Sequence, residues 1–318
     1  MPRFGRKTKV IIAVLIVLSL MLISGLFFPL PPPDIHLAAN YGDGSPDPFF
    51  SFGPIRASNT LIASWLTIIV LGAFFFVATR KMSLVPRGVQ NFAEMVIEGM
   101  YSFVERIAGE NAKRFFPVVG TIFLYVLFNA WLSLLPIFNV IGRYHIGTAD
   151  TLFFGQYSGP IIEVPLLRGA NTDINIPLML ALVSFIAVEY WGLSALGWRT
   201  YLGKFARFRR ILLGFSQLVK GKLKAAAGSF ASGFVDAFVG ALEALSEFIR
   251  IISFTARLFG NMTAGELLVL IIAFIIPWLI AVPFYGLETL LGVIQALIFG
   301  TLTLVFATFA VARPEEDH

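Results

Sequence analysis

The chain has 318 residues, of which 57% are hydrophobic and 14% charged, with a mean hydropathy of +0.82. Because soluble domains carry about 25% charged residues, this composition predicts an integral membrane protein. The sequence has no cysteine, which excludes disulfides, thiolate metal sites and cysteine catalysis, and its three histidines are too scattered for a metal cluster. The net charge of +5 lies in loops beside apolar segments, where membrane orientation explains it, so no nucleic-acid partner is expected.

Residues 1–59 predict an N-terminal anchor or signal and then an external loop. Four basic residues precede the apolar run 10–28, which has 19 residues. This run exceeds the 7–15 residues of a signal-peptide core and approaches the roughly 20 that a spanning helix needs. We therefore favour an uncleaved anchor with a cytoplasmic N-terminus, and a cleaved signal is the alternative. Residues 29–59 are rich in proline, glycine and aspartate, and residues 60–318 are expected to form the membrane domain.

Three further apolar stretches predict spanning helices, and they cover residues 61–79, 115–135 and 174–196. Residues 89–107 separate apolar from polar side chains on two faces, which predicts a helix in the cytoplasmic membrane interface. A surface helix packed on protein is the alternative. Residues 136–172 are expected to form a mixed external loop. The segment 199–224 has eight basic residues and no acidic one, which places it in the cytoplasm by the positive-inside rule.

Two long helices are predicted in the last third of the chain. Residues 228–276 form one helical pattern of almost 50 residues, which at 1.5 Å per residue would be about 70 Å long. Since the hydrocarbon core is about 30 Å thick, this helix must tilt steeply, lie nearly flat or break. Pro277 and Pro283 mark a turn, and residues 284–311 form a second long apolar run.

A stripe of polar side chains runs along the first of these long helices. At about 100° per residue its members fall within roughly 80° of one helix face, and they are Asp236, Glu243, Glu247, Arg250, Arg257 and Asn261. A charge at mid-membrane costs about 2.5–3.5 kcal/mol and is a functional candidate by default. Glu247 and Arg250 are spaced to pair with each other. Arg257 has no acidic residue three or four positions away, so it needs a counter-charge from another helix or another chain.

Carboxyl groups in this region could form a proton path. Burial raises a carboxyl pKa toward neutrality and a nearby cation lowers it, so a series of such groups can pass protons. The candidates are Glu243, Glu247, Glu266 and Glu288, with Asn261 and Gln295 able to orient water or hold the arginine. The structural alternative is that these charges pair with one another and only hold the helices together.

Several segments closely resemble the a subunit of the rotary F-type ATP synthase, the membrane-embedded stator beside the c-ring. The likeness covers roughly residues 60–312, in family order and at family spacing. The segments are Arg257-Leu-Phe-Gly-Asn-Met-Thr-Ala-Gly-Glu266, Ile294-Gln-Ala-Leu-Ile-Phe299, Pro86-Arg-Gly-Val-Gln-Asn-Phe-Ala-Glu94, Asn129 before Leu134-Leu-Pro136, and Thr172-Asp-Ile-Asn175. The extension of residues 1–59 departs from simpler members of the family.

The resemblance implies an all-α integral membrane protein with spanning helices, a membrane-surface amphipathic helix and two long, strongly tilted helices that curve around the c-ring. The implied partners are the c-ring, b-type peripheral-stalk subunits, the rest of the F1Fo complex and the lipid bilayer. The implied location is an energy-coupling membrane, with the bacterial plasma membrane as our expectation. No cofactor, metal or covalent chemistry is expected of this chain.

The resemblance also implies roles for single residues near the arginine and the cytoplasmic side. Arg257 matches the family's essential arginine, which faces the ion-carrying carboxylate of the c subunit. Glu243, fourteen residues earlier, matches a carboxylate on the cytoplasmic exit side, with Ser246 and Glu247 near it.

On the external side, Asn261, Glu266 and Gln295 match polar residues of the arginine region and the external proton path. Glu288 falls where some members carry a histidine that pairs with the glutamate at the Glu266 position. If Glu266 and Glu288 pair here, one of the two should hold a proton at neutral pH.

These expectations predict two offset proton half-channels that couple proton flow to c-ring rotation and ATP synthesis. The main rival from another class is a secondary ion/proton antiporter, which predicts inverted repeats and helices broken by glycine or proline in both halves. The sequence shows neither feature. A purely structural membrane scaffold is the third hypothesis, and it predicts that Arg257→Gln is tolerated.

Overall fold

The fold is described from a computed structural model. The structure describes residues 50–52, 55–135, 137–138, 141–151, 155–198, 201, 223–275 and 281–312. The predicted N-terminal anchor at 10–28 and most of the basic segment at 199–224 lie outside the described residues, so both stay predictions. The division at residue 60 stays an expectation as well.

Six α-helices lie within the described ranges. In chain order they are α1 (Asn59–Thr79), α2 (Val89–Ala108), α3 (Ala112–Ser133), α4 (Asn175–Leu196), α5 (Leu223–Ile275) and α6 (Ala281–Val311). Four described stretches are long and apolar enough to cross a membrane, namely Asn59–Thr79, Val89–Ser133, Asn175–Leu196 and Val282–Val311. The predictions of spanning helices and of an integral membrane protein are therefore confirmed.

The amphipathic segment folds as helix α2 and is buried along only part of its apolar side. Val104 and Ala93 are buried, whereas Phe92 and Phe103 are exposed. A hydrogen bond to the preceding loop fixes the start of the helix, because the Gln90 side-chain amide donates to the backbone carbonyl of Ser83 at 3.0 Å. The helix thus packs on protein and also presents aromatic side chains outward, and its place in the membrane interface stays a prediction.

Helix α5 is unbroken over 53 residues, which at 1.5 Å per residue makes it about 80 Å long. The sequence left open whether this stretch tilts, lies flat or breaks, and a break within 223–275 is now excluded. Because the helix is more than twice as long as a bilayer core is thick, a strong inclination remains our prediction. Helix α6 covers 31 residues and confirms the second long apolar run.

The described strands form two antiparallel hairpins. Strands β1 (Phe50–Phe52) and β2 (Ile55–Ala57) form the first, and β3 (Gly142–Thr151) and β4 (Gly155–Pro165) form the second. The second hairpin corrects our expectation of a mixed loop over 136–172. Its register, from Gly142 opposite Pro165 to Thr151 opposite Gly155, pairs backbone groups that a loop would leave to water. The first hairpin precedes α1 and the second lies between α3 and α4, so the described membrane-spanning stretches remain helical and the predicted all-α membrane architecture holds.

The chain divides into two compact units. The first unit contains α1, residues 124–176 and residues 258–297. A polar seam holds it together, because Thr60 donates to Asp173 at 2.9 Å, the hydroxyls of Ser64 and Tyr125 lie 2.7 Å apart, and Asn129 donates to Thr67 at 3.2 Å. Such hydrogen bonds between helices are typical of membrane proteins, where apolar contact alone does not distinguish a neighbouring helix from lipid.

The second unit contains residues 83–123, 177–257 and the last part of α6 from Ile298. Its core is apolar and includes Val104, Phe115, Val119, Val188, Trp191, Leu304 and Ala307. The rings of Phe115 and Trp191 lie 4.6 Å apart, and one hydroxyl pair, Ser184 and Thr303, joins α4 to α6 at 2.8 Å. This core fixes α4 and α6 beside the stretch of α5 that carries Glu247 and Arg250.

Candidate functional site

The first unit contains a cavity of about 200 Å³. It is lined by Ala130, Ser133, Leu134, Leu135, Phe138, Gly169, Thr172, Met262, Glu266, Val269, Leu270, Tyr285 and Glu288. Its volume is sufficient for several water molecules. Two of the sequence-predicted residues, Glu266 on α5 and Glu288 on α6, therefore face the same small, partly polar space.

Glu266 is bound by an arginine that the sequence analysis missed. The Arg168 Nε lies 3.3 Å from each carboxylate oxygen of Glu266, and Arg168 is only 4% exposed. The only available signal was a basic residue in a predicted external segment, where the positive-inside rule disfavours it. Its partner lies 98 residues further along the chain, a distance over which local patterns carry no pairing information.

Glu288 lies against a glycine of the facing helix. Glu288 is 7% exposed, and a Cβ added to Gly265 would overlap its carboxyl group. The missing side chain at Gly265 therefore makes the room that this carboxyl occupies. Within the described residues no hydrogen bond or ion pair joins Glu288 to another side chain. The two carboxyls thus share a cavity, but Glu266 is bound by Arg168 rather than by Glu288.

One turn before Glu266, α5 and α6 are joined by a pair of amides. Asn261 Nδ2 donates to Gln295 Oε1 at 3.4 Å, and Gln295 is 3% exposed. Its Nε2 is buried and donates to no described group, so it has a hydrogen bond to offer to water or to a partner. Asn261 and Gln295, both candidates from the sequence, therefore lie together in the structure.

Arg250, in the second unit, is enclosed by charged and aromatic groups. It is 8% exposed and forms ion pairs with Glu247 of the same helix and with Glu189 of α4, the latter at 3.6 Å. Its guanidinium lies 4.6 Å from the ring centroid of Phe306 and 5.3 Å from that of Phe185, within the range of cation–π attraction. The predicted Glu247–Arg250 pair is confirmed, and Glu189 is an additional partner.

Tyr201 completes this cluster from beyond the end of α4. Its hydroxyl donates to Glu189 Oε2 at 2.9 Å, and its ring packs so closely on Gly192 that a Cβ there would overlap it. Burial raises the pKa of Tyr201 above its usual value, and the bond to Glu189 raises it further. Tyr201 therefore remains a hydrogen-bond donor to Glu189 at physiological pH.

Arg257 has the opposite surroundings. Its side chain is exposed, and no hydrogen bond or ion pair joins it to another residue in the described part of the chain. Three residues near Arg257 along α5, namely Ser253, Ala256 and Gly260, are small and exposed as well. The exposed face of Arg257 leaves room for a counter-charge from another chain.

The two remaining candidates lie on the earlier part of α5. Glu243 is half-buried and Ser246 is exposed, while Glu247, one turn after Glu243, is half-buried beside Arg250. Across the described ranges, no three acidic or histidine side chains come close enough to hold a metal ion.

The chain is similar to known proteins over most of its length. Residues 61–308 match the family described as ATP synthase A chain. Among curated relatives, ATP synthase subunit a of Gloeobacter violaceus is 30% identical over 85% of this chain and 90% of its own length. The subunits a of Moorella thermoacetica and Campylobacter concisus are 28% and 29% identical, over 82% and 80% of this chain and 94% and 89% of their own lengths.

Proposed function

Because the chain belongs to the ATP synthase A chain family, as subunit a of the Fo sector, we propose that it is the proton-conducting stator of that complex. In this role it provides two offset half-channels and one fixed cation beside a rotating ring of c subunits. Proton flow through the half-channels turns the ring, and the rotation drives ATP synthesis elsewhere in the complex. The chain itself performs no covalent chemistry.

The observation that carries the proposal is the exposed, unmatched charge of Arg257. An arginine cannot lose its proton in a protein, and a lone charge in a membrane is costly. The cost falls if a carboxylate of a neighbouring chain lies opposite the guanidinium. The small residues beside Arg257 would let a helix of a c subunit approach closely.

The external half-channel is proposed to run through the cavity of the first unit. Protons from outside move past Glu288, Glu266 and the Asn261–Gln295 pair, and neutralise a c-subunit carboxylate. That carboxylate loses its charge and can then face lipid as the ring turns. The shared cavity and the Asn261–Gln295 bond support this path.

The cytoplasmic half-channel is proposed to lie along the earlier part of α5. After almost a full rotation, the c-subunit carboxyl group releases its proton toward Glu243, Ser246 and Glu247. Arg257 then holds the arriving carboxylate ionised and blocks a direct leak between the two paths. The half-buried positions of Glu243 and Glu247 on one helix face support this assignment.

Each proton that crosses supplies about 2.3 kcal/mol per 100 mV of membrane potential, so several protons are needed for each ATP. The proposed partners are the c-ring, b-type peripheral-stalk subunits and the rest of the F1Fo complex. The bacterial relatives and the four apolar helical stretches support a location in a bacterial plasma membrane. The N-terminus would be cytoplasmic if the segment 10–28 is an uncleaved anchor.

The test is ATP-driven proton pumping by the whole complex in vesicles, for wild type and for Arg257→Gln. We expect pumping to be lost while the c-ring still co-purifies, because the substitution removes an exposed charge and no described internal contact. Arg106→Gln is the matched control, since Arg106 is also an exposed arginine, on α2, and has no proposed role. Undiminished pumping by Arg257→Gln would contradict the mechanism and favour the scaffold hypothesis.

A further inference from the structure

Arg168 is a buried cation beside the cavity of the first unit, and it lies in the short segment between β4 and α4. We propose that Arg168 is a positioning residue for the external proton path. It fixes Glu266 as an ionised carboxylate, so that Glu288 is the group that exchanges protons with the cavity. This inference rests on the proposed function and deepens it, by naming a residue that the sequence analysis did not single out.

The first step is the charge state of the pair. Arg168 is 4% exposed, and an arginine remains charged even when it is buried. A buried cation requires an anion and hydrogen-bond acceptors close by. Glu266 supplies both, because its two carboxylate oxygens lie at 3.3 Å from the Arg168 Nε, so the ionised form of Glu266 is the one that matches its partner.

The second step is the geometry of Glu266. The Arg168 Nε–H lies between both carboxylate oxygens of Glu266, and charge-assisted hydrogen bonds of this kind are the stronger ones. The turn that follows Arg168 helps to fix the arginine, since Thr172 donates to the carbonyl of Gly169 at 2.7 Å. Gly169 and Thr172 both line the cavity. Arg168 therefore orients the Glu266 carboxylate on one wall.

The third step is the contrast with Glu288 on the opposite wall. The titratable groups of the described cavity lining are Glu266 from α5 and Glu288 and Tyr285 from α6. Helix α3 contributes Ala130 and Ser133, and Leu134 and Leu135 follow it. Arg168, beside this lining, contacts Glu266, and the described ranges contain no ion pair of Glu288. Glu266 therefore serves as a fixed anion, and Glu288 serves as the carboxyl group that exchanges protons. Glu288 takes a proton from cavity water and returns it to water further along the path.

The competing explanation is that Arg168 and Glu266 only hold the fold together. A charge-swapped pair, Arg168→Glu with Glu266→Arg, separates the two explanations. The swap keeps an opposite-charge pair across the same gap. If the pair is purely structural, the swap would restore both assembly and pumping. A positioning role requires the carboxylate on α5, so the swap would restore assembly without restoring pumping.

The experiment measures ATP-driven pumping per assembled complex in vesicles, with c-ring content as the measure of assembly. The variants are Arg168→Gln, Arg168→Lys, Glu266→Gln, the Arg168→Gln/Glu266→Gln double variant and the charge swap. We expect Arg168→Gln to lower pumping about tenfold, the scale of loss when the partner that orients a functional group is removed. Arg168→Lys should recover most of the activity, and Arg168→Gln should add no further loss to Glu266→Gln.

Three results would overturn the inference. They are undiminished pumping by Arg168→Gln, losses that multiply in the double variant, and full pumping by the charge swap. Arg257→Gln is run alongside as the reference for the proposed function. If Arg257→Gln does not pump while Arg168→Gln pumps normally, the stator mechanism is supported and only the role of Arg168 is contradicted. If Arg257→Gln pumps normally, the proposed function itself fails.

Discussion

Arg250 and Arg257 lie seven residues apart on the same helix, and their surroundings are opposite. Arg250 is buried between Glu189, Glu247 and two aromatic rings. Arg257 is exposed and has no hydrogen bond or ion pair with a described side chain. Seven residues correspond to about two turns, so on an ideal helix the two side chains point within about 20° of each other. The difference therefore comes from what packs on α5 at each level rather than from the helical face.

The comparison indicates that Arg250, whose charge is paired within the chain, stabilises the fold, whereas the unpaired charge of Arg257 is available to a partner. The external cavity repeats this distinction with carboxyl groups, because Glu266 is bound by Arg168 and Glu288 has no ion pair within the described residues. Removal of Arg250 should therefore reduce assembly, and displacement of the unpaired carboxyl group of Glu288 should reduce transport. The following variants test the two sides of this distinction.

Arg250→Gln should have the largest effect on stability. It removes the cation from Glu189 and Glu247, and breaking one partner of a buried ion pair typically costs about 3–5 kcal/mol. We expect a lower yield of subunit a in the purified complex and a lower melting temperature. The complexes that do assemble should still pump protons. Normal assembly with lost pumping would place Arg250 in the transport machinery and remove the contrast with Arg257.

Gly265→Ala tests the position of the unmatched carboxyl. The added Cβ overlaps the carboxyl group of Glu288, and the end of this flexible side chain can move aside. We expect assembly to persist and pumping to fall about tenfold, because small misplacements of a reacting group cost this much or more. Gly286→Ala on α6 is the matched control, since its Cβ would meet no atom within 4 Å. Equal pumping by the two variants would remove Glu288 from the proposed path.

Tyr201→Phe should have the smallest effect. It removes the hydroxyl that donates to Glu189 at 2.9 Å and keeps the ring that packs on Gly192. The loss of one hydrogen bond to a charged group in a half-buried site should cost about 1–2 kcal/mol of stability. Thermal unfolding of the complex measures this cost. A loss as large as that of Arg250→Gln would mean that Tyr201, rather than Arg250, is the main partner of Glu189.

Much of this fold could be predicted from the sequence because it depends on local patterns. Apolar length predicted α1, α3 and α4 to within three residues at either end, and side-chain periodicity predicted α2. The hairpin of β3 and β4 was missed, because Gly147, Gly159 and Pro160 interrupt the alternation that normally indicates strands.

The candidate site was predictable only where one helix determines it. The spacing of α5 indicated the Glu247–Arg250 pair, and this pair was confirmed. The partners that come from other elements, Arg168 and Glu189, were not predicted. Each lies more than 60 residues before the group it binds, and helical periodicity contains no information on which element packs at a given level.

The most direct test of the central claim asks whether the face of Arg257 meets the c-ring. The chain has no cysteine, so a single cysteine can be placed on either side of α5 at neighbouring positions. Ala256→Cys lies on the exposed face beside Arg257, and Thr255→Cys, at 6% exposure, lies on the buried face. Each is combined with a cysteine placed next to the ion-carrying carboxylate of the c subunit, and the complex is then oxidised.

We predict a disulfide-linked product of this chain with the c subunit for Ala256→Cys and none for Thr255→Cys. Such a result would place the unmatched charge of Arg257 at the rotating interface. A cross-link from Thr255→Cys alone, or from neither variant in a fully assembled complex, would contradict the account.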